Sequence, residues 1–258
     1  MAARSIWNGT ISLGTIAVPI KVHSATESKG VRFHEVHEPD GARIEHKRIS
    51  PSTGEEVPYK EIVKGYEISS DEYVVLEKEE IDAASGSRSR LLEVEEFVDA
   101  EAIDPVFYDK TYYLGVRDAE DAYRLLHAAL EQTRRAALAR WVFHNRESLV
   151  AIRAHDGALA MHTMRFHDEL VDPSKLEIGK PSRKPGDKEI EMAGALVETL
   201  HEDFDPEMLT DSYRQHVLDY LEAKREGKAP KPKKAKPPEA SDDLLAALQA
   251  SLEAGGKR

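Results

Sequence analysis

Residues 4–22 read Arg-Ser-Ile-Trp-Asn-Gly-Thr-Ile-Ser-Leu-Gly-Thr-Ile-Ala-Val-Pro-Ile-Lys-Val and predict two short β-strands joined near Gly14. Apolar residues alternate along both strands, which places every second side chain on one face: Trp7, Ile11 and Leu13, then Ile16, Val18, Ile20 and Val22. Gly9 and Gly14 are typical of a bulge or a sharp turn, and Pro19, which lacks a backbone N–H, predicts an edge or a bulge. On these residues alone, the stretch indicates the opening hairpin of a β-barrel.

The segments that follow carry mostly strand patterns, centred on residues 73–76, 91–94, 112–116 and 136–143. Residues 148–154 and 159–166 form a predicted hairpin across Asp156-Gly157, a dipeptide favoured in two-residue turns. A helix is predicted from Asp118, as its N-cap, to Glu131, because apolar residues there recur at helical spacing. The pattern therefore predicts a largely β domain with helices packed on it.

Five sequence motifs occur in a fixed order along the chain. The first is Trp7-x-Gly-x-Ile-x-x-Gly-x-x-x-x-Pro-x-Lys21, and the second is Lys64-Gly-Tyr-Glu67 followed by Tyr73-Val-Val-Leu76. The others are Phe97-Val98 with Ile103-Asp-Pro105 and Tyr112-Tyr-Leu114, then Ala122-Tyr-Arg-Leu-Leu126, and finally Asp242-Asp-Leu-Leu-Ala-Ala-Leu-Gln-Ala-Ser-Leu252. This ordered set resembles bacterial Ku, the DNA-end-binding family of non-homologous end joining.

The resemblance implies a mainly β fold with α (α+β): a Ku-type β-barrel core with a bridge that helps encircle DNA, then a C-terminal helical arm and a flexible tail. It implies a ring-shaped homodimer that binds double-stranded DNA ends without sequence preference, protects them and serves DNA repair. It also implies recruitment and stimulation of a multifunctional ATP-dependent end-joining DNA ligase.

The net charge of −12 is unevenly distributed along the chain. Residues 51–109 hold 17 acidic against 5 basic residues, and residues 166–221 hold 14 against 6, whereas residues 110–165 hold 9 basic against 6 acidic. Phosphate binding depends on the local field rather than the net charge, so we expect an acidic exterior around a basic channel. With no cysteine, no secretory signal pattern and no membrane-length apolar run, we expect a cytoplasmic protein. The resemblance implies that it is nucleoid-associated when bound to DNA.

Two groups of basic residues are the predicted DNA contacts. Turn signals at Pro39-Asp-Gly41 and Ser50-Pro-Ser-Thr-Gly54 enclose a short basic strand, which predicts a projecting hairpin or an ordinary peripheral one, carrying Arg43, Lys47 and Arg48. The second group is Arg134, Arg135, Arg140 and Arg146. Lysine and arginine at phosphates set register without reading bases; Arg140 beside Trp141 is equally well explained by packing or a cation–π contact.

The chain is predicted to divide into a barrel core with its bridge (1–187), a helical dimerisation arm (188–225), a Pro/Lys-rich linker (226–240) and a partner-binding helix (241–258). Asp205-Pro206 predicts the start of a helix that runs to about Arg225. The arm's apolar residues either dock on its own barrel or form a dimer interface, which the resemblance favours: Leu196, Leu200, Leu209, Tyr213, Val217 and Leu221.

The last helix carries one apolar stripe, made of Leu244, Leu245, Leu248 and Leu252. A helix of about 12 residues is marginal in isolation, so the stripe is expected to fold against something else. A partner groove and docking on the protein's own body are the alternatives; the linker favours the partner, and the resemblance identifies it as the ligase.

Motifs for catalysis are missing from the sequence, which indicates a binding protein without a cofactor or a metal. There is no phosphate-cradling glycine loop, no Gly-x-Ser-x-Gly elbow and no His-Glu-x-x-His. The main alternative is a β-barrel scaffold or adaptor that assembles protein partners through its arm and tail. A remote one is a metal-dependent hydrolase built on His155, His162 and His167.

Overall fold

The described residues divide into two units, one within residues 1–28 and 34–175 and the other within residues 29–33 and 176–258. The structure is a computed structural model that describes residues 4–84, 90–143, 146–179, 183–228 and 244–255, with the backbone alone at 78, 82, 84, 244, 245 and 252–255. The predicted linker lies largely outside the described residues, as do residues 241–243. The predicted division into four segments stays a prediction.

Seven strands of the first unit close into a barrel. Their spatial order is β1 (Trp7–Leu13), β2 (Ile16–Ser24), β6 (Tyr108–Val116), β9 (Ala158–Met164), β8 (Arg146–His155), β7 (Arg135–Phe143) and β5 (Leu91–Asp99). Neighbouring strands are antiparallel except β5 and β1, whose parallel pairing closes the barrel. The predicted mainly β fold and the predicted opening hairpin are confirmed.

The seam between β1 and β5 depends on Gly9. The Thr10 amide donates to the Arg90 carbonyl oxygen at 2.8 Å, so the two chains run close together here. A Cβ atom on residue 9 would lie 2.5 Å from that carbonyl oxygen and 1.9 Å from Cη2 of Trp7. Glycine is therefore required because the Trp7 ring folds back over the backbone at the seam.

The barrel interior is filled by alternate side chains from all seven strands. Fully buried apolar residues from six of them include Ile11, Val18, Ile20, Val22, Leu92, Leu114, Ile152, Leu159 and Met161. Trp141 of β7 is 2 % exposed and meets Trp7 edge-on at 6.0 Å and Phe143 in a stack at 4.8 Å. The aromatic cluster thus ties β1 at the seam to β7, the strand on the other side of β5.

Helix α2 spans Glu120–Thr133 and is the second α-helix in chain order, after α1 (Lys78–Ala84). It buries Tyr123, Leu126 and Leu130 against the barrel core. The Tyr123 hydroxyl donates to the Leu114 carbonyl oxygen at 2.6 Å and accepts from the Leu159 amide at 2.8 Å. One buried hydroxyl therefore joins the helix to two strands.

Two local predictions were wrong because strand pairing overrides them. Pro19 does not lie at an edge: β2 pairs with strands on both sides, and Pro19 lies just beyond the β6 register, which ends at Ile20. Asp118 is not the N-cap of α2, since Ala119 takes that position. The Arg117 amide donates to the Pro19 carbonyl oxygen, and the chain then turns through Asp118 at a φ of 62°.

A small second sheet pairs β3 (Lys64–Ser69) with β4 (Glu72–Leu76). Every residue of this sheet is exposed except Leu76, which is half-buried. Exposed apolar residues are frequent in the whole stretch 34–76, which we call the bridge segment, and include Tyr59, Tyr66, Ile68 and Val75. Two-stranded sheets are marginal in water on their own, so this segment lacks a core within the described residues.

The described part of the second unit holds three α-helices: α3 (Asp187–Thr199), α4 (Ser212–Arg225) and α5 (Leu244–Gly255), of which α5 packs against α3. The predicted continuous helix from Asp205 was wrong. Asp205 caps only a 3-10 turn at Pro206–Met208, and Asp211 caps α4 by accepting from the Arg214 amide at 2.9 Å. Among the described residues, no helix is long and apolar enough to cross a membrane.

We predict that Gly9→Ala destabilises the barrel by about 2 kcal/mol, because the new methyl group forces the Trp7 ring or the Arg90 carbonyl to move. Urea unfolding followed by the fluorescence of Trp7 and Trp141 measures the loss. Gly30→Ala is the matched control, since its Cβ atom meets nothing within 4 Å. Equal stability of the two variants would contradict the seam geometry.

Candidate nucleic-acid interface

The first predicted DNA contacts lie on two consecutive short hairpins of the bridge segment. One is closed by the Ile44 amide donating to the Glu35 carbonyl oxygen, and the other by the Val57 amide donating to the Arg48 carbonyl oxygen. Their turns use Gly41 at a φ of 69° and Gly54 at a φ of 73°. Both predicted turns are present, but each closes its own hairpin, so the basic segment 43–48 connects two hairpins and is not one strand of a single hairpin.

Three exposed cationic side chains lie on these hairpins. Arg43 has no ion pair within the residues that the structure describes. The Lys47 ammonium lies 2.7 Å from Glu56, whose hydrogen bond raises the pKa of Lys47. The Arg48 guanidinium stacks over the Tyr59 ring at 5.2 Å. All three heads face solvent, where a phosphate can reach them with little desolvation.

The second predicted group is dispersed over the barrel. Arg134 ends α2 in the left-handed region at a φ of 53°, and Arg135 begins β7 at 3.6 Å from Asp99. Arg146 lies 3.4 Å from Glu169 and lines a cavity of about 440 Å³ at the barrel mouth. That cavity also holds Arg165, which pairs with Asp109 at 3.3 Å. Carboxylates therefore accompany the mouth arginines.

Arg140 is held by two carboxylates on neighbouring strands. It lies 2.6 Å from Glu95 and 2.7 Å from Glu147, and their hydrogen bonds raise the pKa of Arg140. The two carboxylates outweigh the single guanidinium charge, so a phosphate approaching this group meets a net negative field. A phosphate contact here requires the guanidinium to leave both partners, and the DNA-binding role of Arg140 stays a prediction.

A polar cluster that the sequence did not predict lies on the outer wall of the barrel. The Arg153 Nε donates to His162 Nε2 at 3.0 Å, and His162 Nδ1 lies 3.0 Å from the Thr111 hydroxyl. His162 is only 7 % exposed and its ring lies 4.9 Å from that of Tyr108. The Asp156-Gly157 turn fixes the register that brings β8 and β9 together here, and that register was the available signal.

The pKa of His162 is lowered to about 4, chiefly by burial, with smaller electrostatic contributions of the same sign from Arg153 and His155. The imidazole is therefore neutral at physiological pH and accepts the Arg153 hydrogen bond. Among the described residues, no group of three or more histidines and carboxylates is placed to hold a metal ion.

The arm and tail residues fall into two environments. Of the predicted dimerisation residues, Leu200, Leu209, Tyr213 and Leu221 are exposed, whereas Val217 and Leu196 are half-buried. The half-buried residues of α3 recur at helical spacing: Glu189, Met192, Ala193 and Leu196. Leu248 of α5 is also half-buried, while the side chains of Leu244, Leu245 and Leu252 lie outside the described ones.

We predict that His162 makes stability depend on pH below about pH 6.5. Between its ordinary pKa of 6.5 and its folded pKa of about 4, only the unfolded chain binds the proton, so stability falls as pH falls through this window. The groups that face the ring are Tyr108 and Thr111 on β6 and Arg153 and His155 on β8.

Urea unfolding of the wild type and of His162→Gln at about pH 7 and about pH 5 checks this. The wild type should lose about 2 kcal/mol more than the variant on acidification, because the glutamine does not titrate. Equal losses in both proteins would show that His162 takes up its proton in the folded state as readily as in the unfolded chain.

A model of the Ku70/Ku80 beta-barrel domain matches residues 12–192 of this chain. Over 259 residues the chain is 41 % identical to the non-homologous end joining protein Ku of Anaeromyxobacter sp. (strain K), covering 99 % of this chain and 87 % of that protein. It is 40 % identical over 256 residues to the non-homologous end joining protein Ku 1 of Saccharopolyspora erythraea, covering 97 % and 78 %. It is 37 % identical over 268 residues to the non-homologous end joining protein Ku of Mycolicibacterium smegmatis, covering 98 % and 84 %.

Proposed function

This chain belongs to the Ku family, and we propose that it binds the ends of double-stranded DNA in bacterial non-homologous end joining. The proposal is supported above all by the 41 % and 40 % identity to two bacterial end-joining Ku proteins, in alignments that cover the barrel and the arm of this chain. The protein protects the ends that it binds and does so without a cofactor or catalysis of its own.

The binding form is a homodimer that closes a ring around the duplex. The bridge segment supports this, because it exposes large apolar side chains such as Tyr59, Tyr66 and Val75 that a self-sufficient monomer would bury. A second copy of the chain supplies the missing cover. A two-fold axis also doubles every basic group along the DNA path.

The arm contributes the other half of the dimer contact. Exposed apolar residues follow one another along the 3-10 turn and α4, among them Leu209, Tyr213 and Leu221. Burying such side chains contributes about 1.5–3 kcal/mol each, which favours association over solvent exposure. Leu196 contributes less directly, since it is already half-buried on α3, the helix against which α5 packs.

Recognition of ends without sequence preference follows from the topology of a ring. The phosphates are contacted by cations of the bridge segment, first of all Arg43, Lys47 and Arg48. Contacts to phosphates fix the position of the protein on DNA but do not depend on the base sequence. Arg134, Arg135 and Arg146 extend the path over the barrel, and Arg140 joins only after releasing its carboxylates. A closed ring loads where the duplex has an end and then slides inward.

The tail recruits an ATP-dependent end-joining ligase through the leucine stripe of α5. The helix is short and packs against α3 of its own chain. When α5 binds in a groove of the ligase, that contact replaces its contact with α3. The alternative of a protein adaptor for which DNA is incidental uses the same surfaces, and the first experiment below separates the two.

The test of end binding compares a linear duplex with the same sequence as a covalently closed circle at physiological salt. We expect tight binding to the linear form and at least about tenfold weaker binding to the circle, since a ring has no route onto it. Reversing Arg43, Lys47 and Arg48 to glutamate should weaken linear binding equally across sequences.

Reversal of Lys224, Arg225 and Lys228, exposed cations at the end of the arm, changes the net charge equally and serves as the control. Equal binding to both DNA forms would contradict end threading. Binding to neither form would favour the adaptor. A bridge variant that binds as the wild type does would remove the hairpins from the DNA path.

We predict that deleting residues 241–258 leaves end binding within about twofold of the wild type and abolishes stimulation of the ligase. Leu248→Asp should reproduce the loss, because it places a charge on the half-buried face of α5, whereas Gln249→Asp adds the same charge on the exposed face. Gel-based ligation and DNA binding are measured on the same preparations. Parallel loss of both activities would refute a separate ligase site.

A further inference from the structure

We propose that Arg153 is a phosphate-contacting residue on the outer wall of the barrel and that His162 and Thr111 are the positioning residues that aim its guanidinium at the DNA backbone. The inference rests on the proposed end-binding function and assigns to it a contact outside the bridge segment. Its ligand is a phosphodiester oxyanion of the duplex.

Strand register places the cluster on the wall rather than in the core. Val150 and Ile152 of β8 and Leu159 and Met161 of β9 belong to the buried core, so Arg153 and His162 point outward. Arg153 lies opposite Ala160, and Tyr113 of β6 lies opposite the same alanine from the other side. His162 lies between Ala151 and Thr111.

The hydrogen bonds fix both the tautomer of His162 and the direction of the guanidinium. Arginine has donors only, so His162 Nε2 must accept from Arg153 Nε, and the ring proton is on Nδ1. Nδ1 then donates to the Thr111 hydroxyl oxygen. This arrangement occupies the Nε donor of Arg153, and no other hydrogen bond of its guanidinium is seen among the described residues.

Arg153 is also distinct in its charge environment. Four arginines lie in the described barrel strands, and Arg135, Arg140 and Arg146 each pair with a carboxylate. Arg153 pairs with none in the part of the chain that the structure describes. The Arg153 side chain is half-buried, and the guanidinium N–H groups that His162 does not engage form a planar fork that matches two oxygens of a phosphate.

The surroundings have the shape and chemistry of a backbone contact. The backbones of Arg153 and Tyr113 flank Ala160 across two strand spacings, roughly 10 Å apart, and Ala160 itself is fully buried, so the side chains around it form the surface here. The Tyr113 ring stacks on His155 at 6.2 Å, and the carboxylate of Asp156 lies 3.6 Å from His155 Nε2. A sugar–phosphate strand therefore meets a cation on one side and an aromatic pair on the other.

The experiment measures the affinity of the full chain for a linear duplex as a function of salt. Each phosphate contact adds about 0.9 to the slope of log K against log salt, so Arg153→Gln should lower it by about 0.9 per protomer, or about 1.8 in a homodimer. Arg124→Gln, an exposed arginine on α2, is the charge-matched control and should leave the slope unchanged.

The positioning role has its own readout. His162→Gln keeps a hydrogen-bond acceptor near the position of Nε2 and should bind DNA as the wild type does. His162→Leu removes the acceptor and should lower the affinity for DNA about two- to tenfold. This loss of affinity should be larger than any fall in the melting temperature of the DNA-free variant would explain. Arg153→Lys should keep most of the slope but lose affinity, because the fork is gone.

Each outcome bears on the inference. If the wild type binds the linear duplex and Arg153→Gln has the same salt slope and affinity, the Arg153 contact is overturned and the proposed function stands. If the wild type does not bind the duplex, the proposed function itself is overturned. Inorganic phosphate is the second probe. Loss of phosphate binding in Arg153→Gln with no change on the duplex would identify a free-phosphate site and overturn the inference.

Discussion

The closure of the barrel between β1 and β5 is the constraint on which the rest of the first unit depends. A strand left unpaired there would expose a row of backbone donors and acceptors, and the interior would open to water. Closure requires the Thr10 amide to reach the Arg90 carbonyl oxygen, which only a glycine at position 9 permits beneath the Trp7 ring. Trp7 then meets Trp141, so the seam and the core are stabilised by the same side chains.

A closed barrel in turn gives the outer wall its rigidity. The register of β6, β9 and β8 holds Thr111, His162 and Arg153 in one line, and the Tyr123 hydroxyl joins α2 to two of these three strands. Side chains supported in this way lose little freedom when a ligand arrives, which favours binding. The bridge segment has the opposite character, since its short hairpins leave large apolar side chains exposed.

Local pairing, more than net charge, decides which cations can serve a phosphate. Most of the acid of this chain lies in residues 51–109 and 166–221, and Glu95 supplies one of the carboxylates that hold Arg140. Carboxylates of this kind hold strand arginines in place and leave fewer free cations on the barrel.

The sequence sufficed for the features that depend on neighbours in the chain. The opening hairpin, the Asp156-Gly157 turn and α2 follow from alternation, turn residues and helical spacing. It did not suffice where a distant partner decides: Pro19 is accommodated by the end of the β6 ladder, and Asp211 outcompetes Asp205 as a helix cap. The same holds for the site, because the pairing of Arg140 with Glu95 and the contact of His162 with Thr111 join strands that are far apart in sequence.

Encirclement of the duplex is tested most directly by trapping. The protein is loaded on a linear duplex that carries biotin at both ends, streptavidin then blocks the ends, and high salt removes every contact that depends on charge alone. A ring predicts that the protein stays on the blocked duplex and leaves the unblocked one. Release from both at the same rate would contradict encirclement.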